Sequence, residues 1–221
     1  MTEQSVTRVP ISEVPDWRYL LREVYELYRF TSSGGSKPIR AHQRAVREAI
    51  NRALRAQPDV VFPVPRRLPV VAHLPRALSE GVQGATAPAV RALELVAGHL
   101  DWEYGYEKMP RGLARAYGYA EIAGPRGPVI TSELIVGVVL FAPGCIYPAH
   151  SHAGITESYV CLSGAVSQNN QGVYAPGSMI FNPAGAKHRI TVSDSEPALL
   201  AYAWTGPREA LEANEMVLSR K

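Results

Sequence analysis

The 221-residue sequence predicts a mixed fold, mainly β with α, in which a helical N-terminal half packs on a C-terminal β-sandwich or jelly-roll barrel. Two patterns predict it. Up to about residue 100 the apolar residues recur at a helical period. Beyond that point they come in short β-branched runs punctuated by Gly, Pro, Asn and Asp. With 46% hydrophobic and 19% charged residues, the composition is that of an ordinary globular chain, long enough to bury a sizeable core without cross-links. The division falls at residues 1–100 for the helical region and 101–221 for the β part, and the two halves need not be separable.

The elements follow in order. "DWRYLLREVYELYRF" puts Trp17, Leu20, Leu21, Val24, Leu27 and Tyr28 on one stripe, and "TSSGGS" stops that helix. "KPIRAHQRAVREAINRALRAQ" has Pro38 near a first-turn position and repeats Ile39, Val46, Ile50 and Leu54 on one face. "PDVVFPVPRRLP" is a proline-rich connector that no helix interior accommodates. "APAVRALELVAGHL" supplies another helix, with Val90, Leu93, Val96 and Leu100 inward. "ELIVGVVLFAPG" then reads as a buried strand, and "ESYVCLSG", "GSMIFNPAG", "HRITVSD" and "PALLAYAWTG" continue the strand rhythm. "PREALEANEMVLSRK" is expected to close the chain as a helix.

Several function classes are disfavoured. From Arg18 to Arg67 eleven Lys/Arg face four Asp/Glu, a local balance of +7, but no aromatic residues interleave as on a nucleic-acid platform; the solvated side of amphipathic helices accounts for the charge. Two cysteines make no disulfide framework. The opening "MTEQSVTRVPISEVPDW" is polar and proline-broken, unlike a signal peptide, and no apolar run approaches the roughly 18 residues of a membrane span. The expectation is a cytoplasmic protein with no nucleic-acid or membrane partner.

The stretch "PGCIYPAHSHAGITESYVCLSG" admits two readings, a buried strand with polar decoration or a metal site with a base beside it. On an extended strand His150 and His152 point to the same face, and so do Glu157 and Tyr159 on the next strand. If the two strands pair as a hairpin, two imidazoles and a carboxylate converge. "PAGAKHRI", turning at Gly185, brings His188 towards the same interior. Three His and one carboxylate suit one divalent transition metal, Fe, Mn, Zn, Co or Ni, rather than calcium or magnesium. A closed structural zinc would use thiolates. Cys161 shares a face with Glu157 and Tyr159 while Cys145 belongs to a turn, so both read as packing residues. His42, His73 and His99 receive no role.

The spacing resembles the cupin motifs. From Gly144 it runs five residues, His-x-His, four residues, Glu157, six residues, Gly164; from Gly177 it runs five residues, Pro-x-Gly, two residues, His188. The second motif often closes on an Asn where this chain has Val192, a position that is not a ligand. The resemblance implies a cupin jelly-roll barrel holding a metal through His150, His152, Glu157 and His188. Beside it, Tyr159 reads either as a packed aromatic or as a base. A phenol ordinarily titrates near 10, and a neighbouring cation lowers that value, which would let it take a proton next to a bound carboxylate. Trp102, Tyr104, Tyr106, Tyr117, Tyr119, Tyr202 and Trp204 are either core or the lining of a pocket for a sulfonium or quaternary ammonium group.

Beyond the motifs, "GGSKPIRAHQRAVREA", "LPRALSEGVQGATAPAVRALE", "WEYGYEKMPRGL" and the run from "LFAPGCIYPAHSHAGITESYVCLSGAV" to "LLAYAWTG" resemble the bacterial cupin-type dimethylsulfoniopropionate lyases of the L-type, over nearly the whole chain. This resemblance implies cleavage of a small sulfonium carboxylate to dimethyl sulfide and acrylate, with Tyr159 as leading base and Tyr147 as second candidate. Two alternatives stay open: another metal-dependent cupin enzyme, a dioxygenase or oxalate-type, or a ligand-sensing regulator. A homodimer is one expected assembly, since barrels carry edge strands.

Overall fold

The structure is a computed structural model and describes residues 7–30, 36–62, 64–106, 109–213 and 216–218. Helices α1 (Pro15–Phe30) and α2 (Lys37–Arg55) both carry proline in the first turn, where its missing N–H costs no hydrogen bond. Trp17, Leu20, Leu21, Val24 and Tyr28 of α1 are buried, as are Val46, Ala49, Ile50, Ala53 and Leu54 of α2. Leu27 and Ile39, on the expected stripes, are only half-buried. Arg18, Arg22, Arg29, Arg40, Arg44, Arg52 and Arg55 lie on the exposed sides of these helices. Helices α3 (Leu74–Gly81) and α4 (Ala87–Val96) complete the layer, and α1 packs against both α2 and α4.

Two strands precede the β half. β1 (Thr7–Pro10) pairs antiparallel with β2 (Asp59–Phe62), the latter inside the proline-rich connector, where Val-Val-Phe forms a short run between prolines. There follow β3 (Trp102–Glu103), helix α5 (Arg111–Ala116), β4 (Tyr117–Gly124), β5 (Val129–Ile130), β6 (Ile135–Phe141), β7 (Ile146–His152), β8 (Thr156–Ser163), β9 (Val166–Gln168), β10 (Met179–Asn182), β11 (His188–Val192), β12 (Ala198–Thr205), helix α6 (Arg208–Ala213) and β13 (Met216–Leu218). The terminal segment is thus helical only to Ala213 among the described residues. Met216–Leu218 instead pairs with β7.

The strands form two sheets, one in the order β1-β2-β5-β4-β6-β12-β8-β10 with β3 beside β4, the other β13-β7-β11-β9. Their facing sides enclose an inner core that includes Ile135, Val139, Phe141, Val192 and Leu200. The outer side of the large sheet packs on the helices through Val136, Val138, Leu140, Val160, Leu162, Leu199 and Ala203. This double burial is why β6 reads "IVGVVLF" without alternation. Each fully buried Val, Leu or Ile contributes about 1.5–3 kcal/mol, so the helical layer and the barrel share one large cohesive term. The expected fold class, a jelly-roll barrel of the cupin kind with helices packed on it, is the one the chain adopts. Gly164, at φ +73°, closes the first motif where a Cβ would collide with the Pro197 carbonyl oxygen, so no other residue fits that turn.

Candidate metal centre

Four buried side chains converge between the sheets: His150 and His152 from β7, Glu157 from β8 and His188 from β11. Their donor atoms all lie within 4.8 Å of one another. Convergence is not achieved by the hairpin suggested by the sequence. β7 pairs with β11 and β13, whereas β8 pairs with β10 and β12. The turn after His152, with Gly154 at φ +71°, carries the chain from one sheet to the other, so the imidazoles and the carboxylate meet face to face across the barrel. Within the smaller sheet His188 is the register partner of His150, which stacks their rings edge-on at 4.1 Å.

The hydrogen bonds of this group fix its chemistry. His150 Nδ1 donates to the Pro148 carbonyl at 3.0 Å and His188 Nδ1 to the Ala186 carbonyl at 3.1 Å. In a neutral ring this leaves Nε2 as a bare lone pair, the tautomer that a metal takes. The Nε2 atoms of His150, His152 and His188, and Nδ1 of His152, are buried with no hydrogen-bond partner. His188 Nε2 sits 2.8 Å from Glu157 Oε2 and His152 Nε2 3.5 Å from Oε1, close approaches off the hydrogen-bond direction. A single buried polar atom without a partner costs about 1–3 kcal/mol. Three imidazoles that each offer one such nitrogen beside one carboxylate fit a cation-binding set.

Glu157 is itself held from two sides. Trp204 Nε1 donates to Oε1 at 2.7 Å and Asn182 Nδ2 to Oε2 at 3.0 Å, while Gln168 Nε2 donates to Asn182 Oδ1 at 2.9 Å. Burial pushes the Glu157 carboxyl up, but contact with His188 and the neighbouring imidazoles hold it well below the usual range. Burial lowers His150 to about 3. Burial works against a charge on His188 too, yet Glu157 raises it above the ordinary value.

Beside the centre is a narrow cavity lined by Tyr117, Tyr119, Val139, Tyr147, Glu157, Tyr159, Tyr202 and Trp204. The close packing at Gly137, where a Cβ would strike the Ala120 carbonyl oxygen and the Tyr202 ring, gives Tyr202 its place there. Of the seven aromatics expected at a pocket, Tyr117, Tyr119, Tyr202 and Trp204 line this space, together with the two candidate bases Tyr159 and Tyr147. Tyr106 stands one step back, its hydroxyl donating to Tyr147 at 2.9 Å, and Tyr147 donates to Tyr117 at 3.1 Å. Tyr104 donates to the Ala114 carbonyl at 2.6 Å. The structure does not bring Trp102 to the cavity; it packs in the core between helices and large sheet. Burial and the Glu157 carboxylate push the Tyr159 phenol well above its ordinary value, and burial with the neighbouring phenols does the same to Tyr147.

Sequence reasoning missed Asn182 and Gln168. The available signal was an Asn closing the otherwise apolar strand "MIFN", a polar residue that needs a buried partner. Cys145 and Cys161 are buried free thiols, pushed by burial up to about 12, as packing residues are.

Residues 42–200 match the family model described as dimethylsulfoniopropionate lyase. A curated relative from Cereibacter sphaeroides, provisionally named dimethylsulfoniopropionate lyase DddL, is 51% identical over 216 residues, which span 98% of this chain and 93% of its own. Among solved structures, a chain from crystal structures of the DMSP lyases RdDddP and RnDddQII superposes with a TM-score of 0.68 at 24% identity, covering 94% of this chain and 99% of its own. The DMSP lyase DddQ from Ruegeria pomeroyi does so with a TM-score of 0.68 at 21% identity, covering 93% and 96%. At those identities the two structural matches establish a shared fold.

Proposed function

The chain belongs to the dimethylsulfoniopropionate lyase family, and on that premise we propose that it cleaves dimethylsulfoniopropionate to dimethyl sulfide and acrylate beside the His150, His152, Glu157 and His188 centre. The observation that carries the reading is one coincidence. Glu157, the carboxylate that the partnerless buried imidazoles surround, is also a wall of the aromatic cavity, and Tyr159 lines that cavity two residues from Glu157.

A divalent transition metal held by these four residues would fix the substrate carboxylate and draw off the negative charge that grows on it. The chain's own residues supply the rest. Tyr117, Tyr119, Tyr202 and Trp204 line the cavity with aromatic rings, which would favour a sulfonium over a neutral analogue there. Tyr159 first and Tyr147 second, having lost its own proton to solvent as the cationic substrate and the metal gather beside it, takes as phenolate the proton from the carbon next to the carboxylate. That electron pair forms the new double bond, and the carbon–sulfur bond breaks with its pair on sulfur. Neutral dimethyl sulfide and acrylate leave, and one proton remains on the base. The raised phenols are opposed in the complex by positive charge on two sides, the sulfonium and the cation site.

Purified protein loaded with each of Fe, Mn, Zn, Co and Ni in turn, and given the substrate in sealed vials with and without oxygen, tests the reading by headspace detection of dimethyl sulfide. Product in both atmospheres is expected. A requirement for oxygen would assign the site to a cupin oxidase, and no product with any metal would remove the lyase reading.

A further inference from the structure

Directly behind the metal centre, on the outer face of the large sheet, lies a second buried polar cluster. His42, on the buried side of α2, has Nε2 2.8 Å from Ser158 Oγ and Nδ1 3.1 Å from Thr205 Oγ1. The Tyr28 hydroxyl of α1 lies 2.8 Å from the same Ser158 Oγ, and the His42 ring packs on Phe181 with centroids 5.4 Å apart. Ser158, Thr205 and Phe181 belong to β8, β12 and β10, three adjacent strands.

Each of these three residues adjoins, along its own strand, a member of the inner site. Ser158 follows Glu157, Thr205 follows Trp204, and Phe181 precedes Asn182. Glu157 is also the register partner of both Trp204 and Asn182. Because successive side chains on a strand point to opposite faces, fixing the outer three relative to one another fixes the inner three.

The hydrogen bonding has one direction. Burial pushes His42 down to about 4, so its ring is neutral, with one N–H and one lone pair. Tyr28 has no other hydrogen-bond partner among the described residues, so its O–H donates to Ser158. Ser158 then donates to His42 Nε2, and His42 Nδ1–H donates to Thr205. The reverse sense would strand the Tyr28 hydrogen in the core. Helix α2 is thus strapped to β8 and β12 through a single imidazole, and α1 to β8 through the Tyr28 hydroxyl.

We propose that His42 is a positioning residue for the metal centre, holding β8, β10 and β12 in the mutual placement that keeps Glu157 between Trp204 and Asn182. The inference rests on the reading of the inner four residues as a metal site, and it gives the helical layer a part in the barrel's chemistry.

The test compares His42→Leu, which keeps bulk but removes both hydrogen bonds, with Val46→Ala, which removes apolar packing from the same helix. The first readout needs no metal: the indole N–H resonance of Trp204 in 15N-labelled protein, identified by its loss in Trp204→Phe. It is expected to shift in His42→Leu and to stay in place in Val46→Ala. The second is Co2+ affinity and its d–d spectrum, expected to weaken about 10-fold in His42→Leu, at the lower end of the loss seen for residues that orient ligands, and to recover in His42→Gln. Wild-type indole position and Co2+ affinity in His42→Leu would overturn the proposal, as would equal changes in Val46→Ala, which would mean general loosening. Failure of the wild type to bind Co2+ would count against the metal reading, and the indole resonance would still decide the positioning role.

Discussion

Two buried histidine sites flank β8 of the large sheet, His42 on its outer face and His150, His152 and His188 facing Glu157 on its inner face from the smaller sheet, and their hydrogen-bond accounts are opposite. On the outer face, both ring nitrogens of His42 have hydroxyl partners and the network is closed. On the inner face, four imidazole nitrogens of His150, His152 and His188 have none. Residue type and burial are alike, so neither separates a structural histidine from a ligand. The difference is whether a lone pair is left over, and where leftover lone pairs converge on an ionised carboxylate the site is built for a cation.

The comparison breaks if the inner set does not behave as ligands. Glu157→Gln keeps size and removes charge; metal content after gel filtration is expected to fall on the order of 100-fold or more, with turnover lost alongside. Tyr159→Phe sharpens the inner side by separating binding from chemistry. It should retain the metal and lose turnover by about 100- to 10,000-fold, the range for a removed general base. A larger loss in Tyr147→Phe would transfer the base to Tyr147.

On the outer side the expected effects are on stability. His42 has its folded pKa depressed to about 4 by burial, with Tyr28 facing it from α1 and the Glu157 charge behind Ser158 opposing part of the shift. The unfolded chain therefore takes up this proton first as pH falls. Stability from His42 is complete above its ordinary value near 6.5 and is lost as pH falls towards 4, by up to about 3 kcal/mol. Urea denaturation across that window should show a shallower loss in His42→Leu than in the wild type. Ser158→Ala leaves the His42 Nε2 and Tyr28 hydroxyl unpaired and should cost about 1–3 kcal/mol at neutral pH. A cost near zero would mean that the outer network is not closed.

Much of the architecture was legible because it is local. The 3.6-residue stripes of α1, α2 and α4 and the apolar runs of β6, β8 and β12 announce themselves, and His-x-His parity places both rings on one face without knowledge of the partner strand. What was not legible depends on long-range pairing. Nothing in "HSHAGITE" says that its flanking strands belong to different sheets, and the pairing of Met216–Leu218 with β7 crosses more than sixty residues. Pairing also decides Trp102, whose neighbours sound like a pocket but whose strand faces the helices. His42 was passed over because a histidine on a helix stripe looks like any amphipathic position; its meaning lies in Ser158, 116 residues away.

Carbon–sulfur cleavage is proposed to require one metal per chain, held by His150, His152, Glu157 and His188. The most direct test is titration of chelator-stripped protein with the best-activating divalent metal while dimethyl sulfide release is followed in sealed vials. This metal requirement predicts no release at the start, a linear rise that breaks at one equivalent, and a flat line throughout in Glu157→Gln. Full release from the stripped protein, or an unchanged titration in that variant, would contradict it.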